Sequence, residues 1–368
     1  MDKKEQKILF IMQEATPGTH MDYVYEMART LKEEQGLPLT LLLEKGGAEE
    51  KPEWVIEQKY RNPVLRTIEN FYLILKARID GTKTFYVHYS FLSAISAGIV
   101  SKLSGATVYY WNAGMPWKYK RPWYEEQYQR LAYTLINVLV TGAEALRVPY
   151  HLHYGVEEDA IEIIPNWIDL ENIHLPANKN LVREALGLPT NKPLLLFVHK
   201  LAMRKGAHWL LPLMEKLKET NCHLVIAGDG PEEDNIKREI HALGLEEKVT
   251  MLGRVDRETA SKLYQAANIF VMPSEEEGSP HSLIEAMAYG LPSVTFSVGG
   301  VKNTVPPEAY QFTFKYGDID GFADGVSTLL YDKTVYQKQQ IAASEWVHNF
   351  DKKTAVAAFT TLLTTDRK

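Results

Sequence analysis

Short apolar runs alternate with longer amphipathic segments along almost the whole chain, and this alternation is the strongest constraint on the fold. Parallel sheets require such a pattern, because crossover helices cover both faces of the sheet and the buried strands are continuously apolar. The pattern occurs once in each half of the chain. We therefore predict an α/β protein with two doubly wound, Rossmann-like parallel-sheet domains. The predicted strands are ILFIM (8–12), LTLLL (39–43), TFYVHY (84–89), TVYYW (107–111), NVLVTG (137–142), PLLLFVHK (193–200), HLVIAGDG (223–230), VTMLGRV (249–255), IFVMPS (269–274) and PSVTFSV (292–298).

The two sets of strands are separated by IIPNWIDLENIHLPANKN (163–180), which is rich in Pro and Asn and weakly periodic, as is typical of a linker. We expect an N-terminal domain at 1–165, a second domain at 166–345, and a C-terminal helix at 346–368 that crosses back to the first domain. In open α/β sheets, ligands bind beyond the carboxyl ends of the strands. Two sheets facing each other would line one interdomain cleft, where we expect the substrates to bind.

The bulk properties are those of a soluble globular protein. Hydrophobic residues make up 45% of the 368 positions, and the net charge of -6 disfavours binding to nucleic acid. Cys222 is the single cysteine, so an intrachain disulfide is excluded and a reducing compartment is expected. The first apolar run is too short for a signal peptide, and no run reaches about 18 apolar residues. We expect a cytoplasmic protein.

The most informative segment for function is EEEGSPHSLIEAMAYGLPSVTFSVGG (275–300). Gly278 and Pro280 prevent a continuous helix between Glu277 and Glu285, so Glu277 is predicted in a loop and Glu285 one turn into a helix that begins near Ser282. The amides of a first helical turn have no intrahelical partners and bind phosphate readily. An acidic surface loop before a buried helix is the alternative. The predicted donor-binding residues between the two acids are Gly278, Ser279, Pro280, His281 and Ser282.

Lys200 and Lys205 flank a short loop in HKLAMRKG (199–206), directly after the first strand of the second domain. Two ammonium groups at such a position can neutralise a diphosphate, although either lysine alone would be explained as a solvated side chain at a strand end. Three further turns follow strands at the same predicted edge and are weaker signals. The first contains Gly228 in GDGP. The second contains Arg254 and Val255, whose backbone groups would meet a base. The third contains Gly299 and Gly300, whose amides would approach a phosphate.

These segments together resemble the retaining glycosyltransferases of family 4, which have the GT-B fold. HKLAMRKG (199–206) is similar to the family pattern G-R-L-x-x-x-K-G, and EGSPHSLIEAMAYGLP (277–292) to E-G-x-P-x-x-x-x-E-A-M-A-x-G-x-P. IPNWID (164–169) is similar to the interdomain I-P-N-G-[IV]-D. The resemblance covers about 163–300, whereas the first domain agrees only in layout.

The resemblance implies transfer of a hexose from a nucleotide-diphosphate sugar, UDP- or GDP-linked, to a saccharide or lipid-linked acceptor. Glu277 would hold the donor sugar, Glu285 the ribose hydroxyls, and Lys200 with Lys205 the leaving diphosphate. The configuration would be retained by front-face attack, in which the departing phosphate accepts the acceptor's proton. A sugar-nucleotide epimerase or hydrolase on the same scaffold, or a degenerate nucleotide-sugar binding subunit, remains an alternative.

The chain departs from the family pattern at several positions. His199-Lys200-Leu201 replaces Gly-Arg-Leu, and Asn112 stands where many relatives have a histidine that contacts the donor sugar. Gly18 and His20 follow the first strand and are candidates for donor-sugar or acceptor contacts.

We expect no required metal or other cofactor. His151 and His153 lack further ligands at metal-binding spacing. Asp318 and Asp320 are better explained as a helix N-cap than as a metal-binding D-x-D motif.

Two segments of the first domain combine cations with apolar side chains. Residues 59–83 have six basic and two acidic residues, with Val64, Ile68, Phe71, Leu75 and Ile79 at helical spacing, and 115–124 mixes three cations with four aromatic rings. Such segments suit peripheral contact with the inner face of a membrane, where a lipid-linked acceptor would be presented during polysaccharide or glycolipid biosynthesis. A helix that packs on the sheet with its cations extended into solvent is the alternative.

Overall fold

The computed structural model describes residues 6–16, 21–48 and 52–365. The chain divides into two compact units. The first comprises the described residues of Met1–Pro165 and Lys353–Lys368, and the second is Asn166–Lys352.

The first unit is built on a parallel sheet that has seven strands in its described part, in the order β3-β2-β1-β4-β5-β6-β7. Its strands are β1 Lys7–Met12, β2 Leu39–Leu43, β3 Val55–Glu57, β4 Thr82–His88, β5 Thr107–Trp111, β6 Val138–Thr141 and β7 Ile161–Ile163. Its helices are α1 Asp22–Arg29, which continues as a π-helical turn at Thr30–Glu34, α2 Pro63–Ile79, α3 Phe91–Ser104, α4 Trp123–Leu135 and α5 Arg147–Tyr154. A core that includes Phe85, Val108 and Leu139 lies under α3 and α4.

The second unit has a six-stranded parallel sheet in the order β10-β9-β8-β11-β12-β13. Its strands are β8 Leu194–Val198, β9 His223–Ala227, β10 Val249–Gly253, β11 Ile269–Met272, β12 Ser293–Phe296 and β13 Thr313–Phe314. Its helices are α6 Lys179–Ala185, α7 Leu210–Lys216, α8 Glu233–Leu243, α9 Arg257–Ala266, α10 His281–Ala288, α11 Val301–Thr304, α12 Ile319–Tyr331 and α13 Lys333–Trp346. The buried strands lie between two apolar layers, one on each face of the sheet.

A last helix, α14 (Lys352–Thr364), follows α13 through a 3-10 turn, and from Lys353 onward it belongs to the first unit. The Phe359 ring packs edge-on against Tyr86 of β4, with centroids 5.5 Å apart.

The two predicted Rossmann-like parallel sheets are confirmed, and each predicted strand is present within about three residues of its expected bounds. The sequence reasoning missed β3, β7 and β13, which have three residues or fewer. Strands this short carry too little hydrophobic pattern to be recognised. In the described part of the chain, no helix is long and apolar enough to cross a bilayer.

Candidate active site

The predicted lysine and glutamate loops lie next to each other in the second unit. β8 pairs with β11, and the strand order reverses between these two strands, with β9 and β10 on one side and β12 and β13 on the other. Lys200 and Lys205 follow β8, whereas Glu277 follows β11. Ligands of open α/β sheets bind at the carboxyl edge beside such a reversal of strand order. The sheet topology therefore places both loops where a ligand is expected.

Gly206 allows the two loops to approach each other closely. Its φ is +76°, and a Cβ built on it would lie 1.9 Å from the carbonyl oxygen of Pro273. The amide of Glu275 also donates to the carbonyl of Arg204 at 3.0 Å. The lysine loop and the glutamate loop are thus packed backbone against backbone.

Glu277 is the centre of a buried ionic cluster. Its Oε1 lies 2.9 Å from Lys205 Nζ and 3.3 Å from His199 Nε2, and its side chain is only 5% exposed. Lys205 Nζ also donates to the carbonyl of Glu276 at 3.2 Å. Both charged contacts fall on Oε1, which leaves Oε2 as the oxygen that can accept from a ligand.

The surroundings of Glu277 keep it ionised. Burial acts to raise the pKa of this carboxyl, but Lys205 and His199 outweigh it and hold the pKa at about 2. His199 Nδ1 accepts from the amide of Lys200 at 2.8 Å, so the ring proton lies on Nε2, which faces Glu277. At neutral pH, Glu277 is therefore an anion that accepts hydrogen bonds and is not a proton donor.

Sequence reasoning missed two members of this cluster. The sequence marks His199 as a departure from the family pattern but does not predict its contact with Glu277. Arg204 Nη1 pairs with Glu276 Oε1 at 3.0 Å and joins the same two loops. The available signal was the position of both residues in the segment that contains the predicted lysines.

Lys200 lies two residues beyond β8 and is exposed, and no ion pair to it occurs among the described residues. Its contact with a diphosphate stays a prediction.

The start of α10 follows the glutamate loop, as expected. Pro280 occupies the N-cap position, and the amide of Ile284 donates to its carbonyl at 3.2 Å, so the amides of His281, Ser282 and Leu283 precede the first intrahelical bond. The Ser282 hydroxyl is buried, with no hydrogen-bond partner in the part of the chain that the structure describes. Gly278 is partly exposed in the loop before this helix.

Ser279 has a structural contact that the sequence did not predict. Its hydroxyl accepts from the amide of Asn166 at 2.8 Å, and its carbonyl accepts from the Asn166 side chain at 2.5 Å. The predicted donor-binding hydroxyl of Ser279 is thus engaged with the first residue of the second unit.

Glu285 is held by the phenol of Tyr264, which donates to Oε2 at 2.8 Å. His281 Nε2 lies 3.6 Å from the other oxygen, and burial lowers the pKa of this histidine despite that carboxylate. Tyr264 in turn stacks on Tyr289, with centroids 5.7 Å apart. Glu285 is 30% exposed, so a ligand can reach it. Tyr264 is a further residue of the site that the sequence did not indicate.

Two of the predicted glycines at the neighbouring turns have structural contacts. The Gly228 amide donates to the carbonyl of Gly253 at 2.7 Å, and a Cβ on Gly228 would lie 1.9 Å from the carbonyl oxygen of His199, so this glycine serves close packing. The Gly300 amide donates to the carbonyl of Glu277 at 2.8 Å and is not free for phosphate. Gly299 remains partly exposed.

Arg254 and Val255 follow β10. Arg254 is exposed, whereas Val255 packs partly against the core, and their backbone contact with a base stays a prediction.

Asn112 has structural contacts that the sequence did not predict. It is buried in the first unit, where Nδ2 donates to the Tyr133 hydroxyl at 3.1 Å and Oδ1 accepts from the amide of Gly114 at 2.9 Å. Asn112 therefore stabilises the turn after β5. Gly18 and His20 lie outside the described residues.

The suspected metal motifs have other contacts. His151 Nδ1 lies 3.0 Å from the carbonyl of Val156, and His153 stacks on Trp117. Asp318 caps α12 by accepting from the amide of Gly321 at 3.0 Å, as predicted, and Asp320 pairs with Lys216 at 2.5 Å. Among the described residues, no group of three or more potential metal ligands is present.

The fold and the ionic cluster in the loops after β8 and β11 indicate which class of proteins this chain is similar to. Both units are Rossmann-like and the fold is that of GT-B proteins: HepE from Anabaena, solved in complex with UDP and glucose, matches with a TM-score of 0.81 and 19% identity, over 98% of this chain and 100% of its own. Residues 178–346 match the family model described as glycosyl transferases group 1. The matched residues include both the lysine loop and the glutamate loop.

Curated relatives named as glycosyltransferases are also similar to this chain. An uncharacterised glycosyltransferase of Methanocaldococcus jannaschii is 32% identical over 198 residues, which are 53% of this chain and 51% of the relative. The UDP-Gal:alpha-D-GlcNAc-diphosphoundecaprenol alpha-1,3-galactosyltransferase of Escherichia coli is 27% identical over 202 residues, which are 53% and 52% of the two chains. The chain spans about half the length of the curated relatives it matches.

Proposed function

We propose that the protein is a retaining glycosyltransferase that moves a hexose from a nucleotide-diphosphate sugar to a saccharide or lipid-linked acceptor. The observation that carries this proposal is the buried cluster of Lys205, Glu277 and His199 where the strand order reverses, next to the start of α10. The E. coli relative named for a UDP-galactose donor and the Anabaena neighbour in complex with UDP support a uridine nucleotide.

The chemistry requires a charge to be stabilised as the bond between the sugar and the diphosphate breaks. Lys205, Lys200 and the first amides of α10 would face the departing diphosphate, and one such contact is commonly worth about 3 to 4 kcal/mol in the transition state. The acceptor oxygen would bond to the same face of the sugar, and its proton would pass to the departing diphosphate. Because Glu277 stays ionised, its place in this scheme is to accept hydrogen bonds from sugar hydroxyls through Oε2.

Glu285 would bind the ribose hydroxyls of the donor. Its carboxylate is positioned by Tyr264, and a partly exposed carboxylate can accept from two neighbouring hydroxyls. In this scheme no protein side chain acts as a base, and no metal takes part.

The acceptor side of the proposal includes peripheral contact with the inner face of a membrane by a cytoplasmic protein. Helix α2 buries Ile74, yet it leaves a stripe of large apolar side chains in solvent, at 66% exposure for Val64, 61% for Ile68 and 76% for Ile79. Tyr72 and Leu75 continue the same stripe. An exposed apolar stripe with basic neighbours favours an interfacial helix over one that is only packed on the sheet.

The test combines donor binding with donor consumption. UDP, GDP and ADP should be compared by thermal shift, and we expect UDP to raise the melting temperature most. UDP-hexose should then be incubated with and without a membrane extract that contains lipid-linked saccharides. The proposal is supported if UDP release depends on the acceptor and the transferred sugar keeps its anomeric configuration in the product. Glu277→Gln should abolish this activity. Conversion of the donor without any acceptor would instead indicate an epimerase or a hydrolase.

A further inference from the structure

A cavity with a volume of about 450 Å³ lies in the first unit. It is bounded by the loop 116–123, the first turns of α4 and the end of α5. Pockets of about 300 to 1,000 Å³ are typical of small-molecule sites. None of the donor-binding residues contributes to it.

The pocket has an excess of positive charge. Lys120, Arg121 and Arg130 line it, against the single carboxylate of Glu126. Arg130 Nε pairs with Glu126 Oε1 at 2.9 Å, so no carboxylate remains among the described lining residues for Lys120 and Arg121, in a chain whose net charge is -6. Such a local surplus favours an anionic ligand.

The two guanidinium groups are held in place before any ligand binds. Arg121 donates to the carbonyl of Pro116 at 2.9 Å and to the Gln129 side chain, and it lies 5.3 Å from the centroid of the Tyr119 ring. Arg130 donates to the carbonyl of His153 at 2.9 Å and lies 5.3 Å from the Tyr154 ring. Lys120 is exposed at the mouth, with no ion pair in the described part of the chain. Positioned guanidinium groups beside an exposed ammonium are well suited to a phosphoryl group.

Aromatic rings, among them Trp123, line the pocket, and further apolar side chains are exposed on α4 outside it. Trp123 is 77% exposed, and Tyr124, Tyr128 and Leu131 form an exposed stripe along α4. Aromatic rings beside cations are typical of the headgroup level of a membrane, where lipid phosphates lie. We infer that this pocket binds the phosphoryl group of a lipid-borne acceptor, an inference that rests on the proposed glycosyltransferase function.

The test is isothermal titration of the full chain with dihexanoyl phosphatidic acid below its critical micelle concentration, with UDP at saturation so that the donor site is filled. We expect binding that becomes about tenfold weaker in Lys120→Gln and is restored in Lys120→Arg. Trp123→Ala should weaken binding of the lipid phosphate but not of sn-glycerol 3-phosphate. Lys338→Gln, on the exposed side of α13, is the matched charge control and should change nothing.

Each outcome decides between the sources of the phosphoryl group. If the lipid phosphate binds equally well to Lys120→Gln and to the unaltered protein, the pocket is not its site. If inorganic phosphate and the lipid phosphate bind equally and both depend on Lys120, the ligand is a soluble phosphate and the lipid assignment is wrong. If the unaltered protein does not bind UDP, the result counts against the proposed function. If it binds UDP but not the lipid phosphate, only the inference about the pocket is overturned.

Discussion

Lys205 Nζ lies 2.9 Å from Glu277 Oε1, although the two residues belong to loops that follow different strands. Their side chains are 11% and 5% exposed, so solvent screens the pair little. Each charge depends on the other, because a buried charge without a partner is strongly destabilising. The same contact positions a cation and an anion side by side at the proposed donor site.

Removing one member of this pair should cost far more than removing both. We expect Lys205→Met to lower the free energy of unfolding by about 3 kcal/mol, and the double variant Lys205→Met/Glu277→Leu to recover most of that loss. Urea unfolding measures both. The exposed pair of Lys262 and Glu258 is the control, since Lys262→Met should change stability by less than about 1 kcal/mol. Equal losses at the two sites would contradict a buried, mutually dependent pair.

The low pKa of Glu277 predicts how stability depends on acidity. The folded-state pKa is about 2 and the ordinary value is 4.5, so this stabilisation is complete above about pH 4.5 and is lost as the pH falls toward 2. Between pH 5 and pH 3 the loss should be about 2 kcal/mol. Unfolding at both pH values should show a smaller decrease in Glu277→Gln than in the unaltered protein. Equal decreases in the free energy of unfolding of the two proteins would mean that the pKa of Glu277 is not lowered in the folded state.

Gly206→Ala should disable the site by forcing the two loops apart. The new Cβ would meet the Pro273 carbonyl at 1.9 Å, in addition to the strain of about 1 to 2 kcal/mol that a positive φ imposes on a side chain. Gly244→Ala is a matched control, because Gly244 has φ +63° but nothing within 4 Å of its Cβ position. We expect similar backbone strain in both variants, with a loss of UDP affinity by titration only in Gly206→Ala. An unchanged affinity there would show that the loops tolerate separation.

Tyr264→Phe should weaken recognition of the ribose. The variant loses the 2.8 Å hydrogen bond to Glu285, and a bond of this kind is worth about 1.5 to 3 kcal/mol, so UDP should bind about tenfold more weakly. The preference for UDP over 2′-deoxy-UDP should shrink by a similar factor. Tyr336→Phe removes a comparable hydroxyl, bonded to the carbonyl of Asn268 at 3.0 Å, and should leave UDP affinity unchanged. An undiminished preference would rule out ribose binding through Glu285.

The exposed stripe of α2 predicts binding to anionic vesicles. Ile68→Asp places a charge on a 61% exposed position, so it should reduce recovery with phosphatidylglycerol vesicles in flotation while leaving the melting temperature nearly unchanged. Leu181→Asp is the control, since Leu181 is 64% exposed on α6 of the second unit. No recovery of the unaltered protein at low salt would end the membrane proposal.

The sequence predicted what depends on local pattern and missed what depends on distant pairing. The alternation of apolar and amphipathic segments predicted both sheets, and the Gly278 and Pro280 breaks predicted the loop that precedes α10. His199 and Tyr264 could not be assigned, because their contacts with Glu277 and Glu285 form only once separate strands and helices are packed. The hydrogen bond that Asn112 donates to Tyr133 on α4 could not be predicted for the same reason.

The two hydrogen bonds between Asn166 and Ser279 fasten the start of the second unit to a residue two positions from Glu277. The first residue of the second unit is therefore anchored by hydrogen bonds to the glutamate loop. A change in the position of Asn166 would therefore shift Ser279 and the loop that contains Glu277.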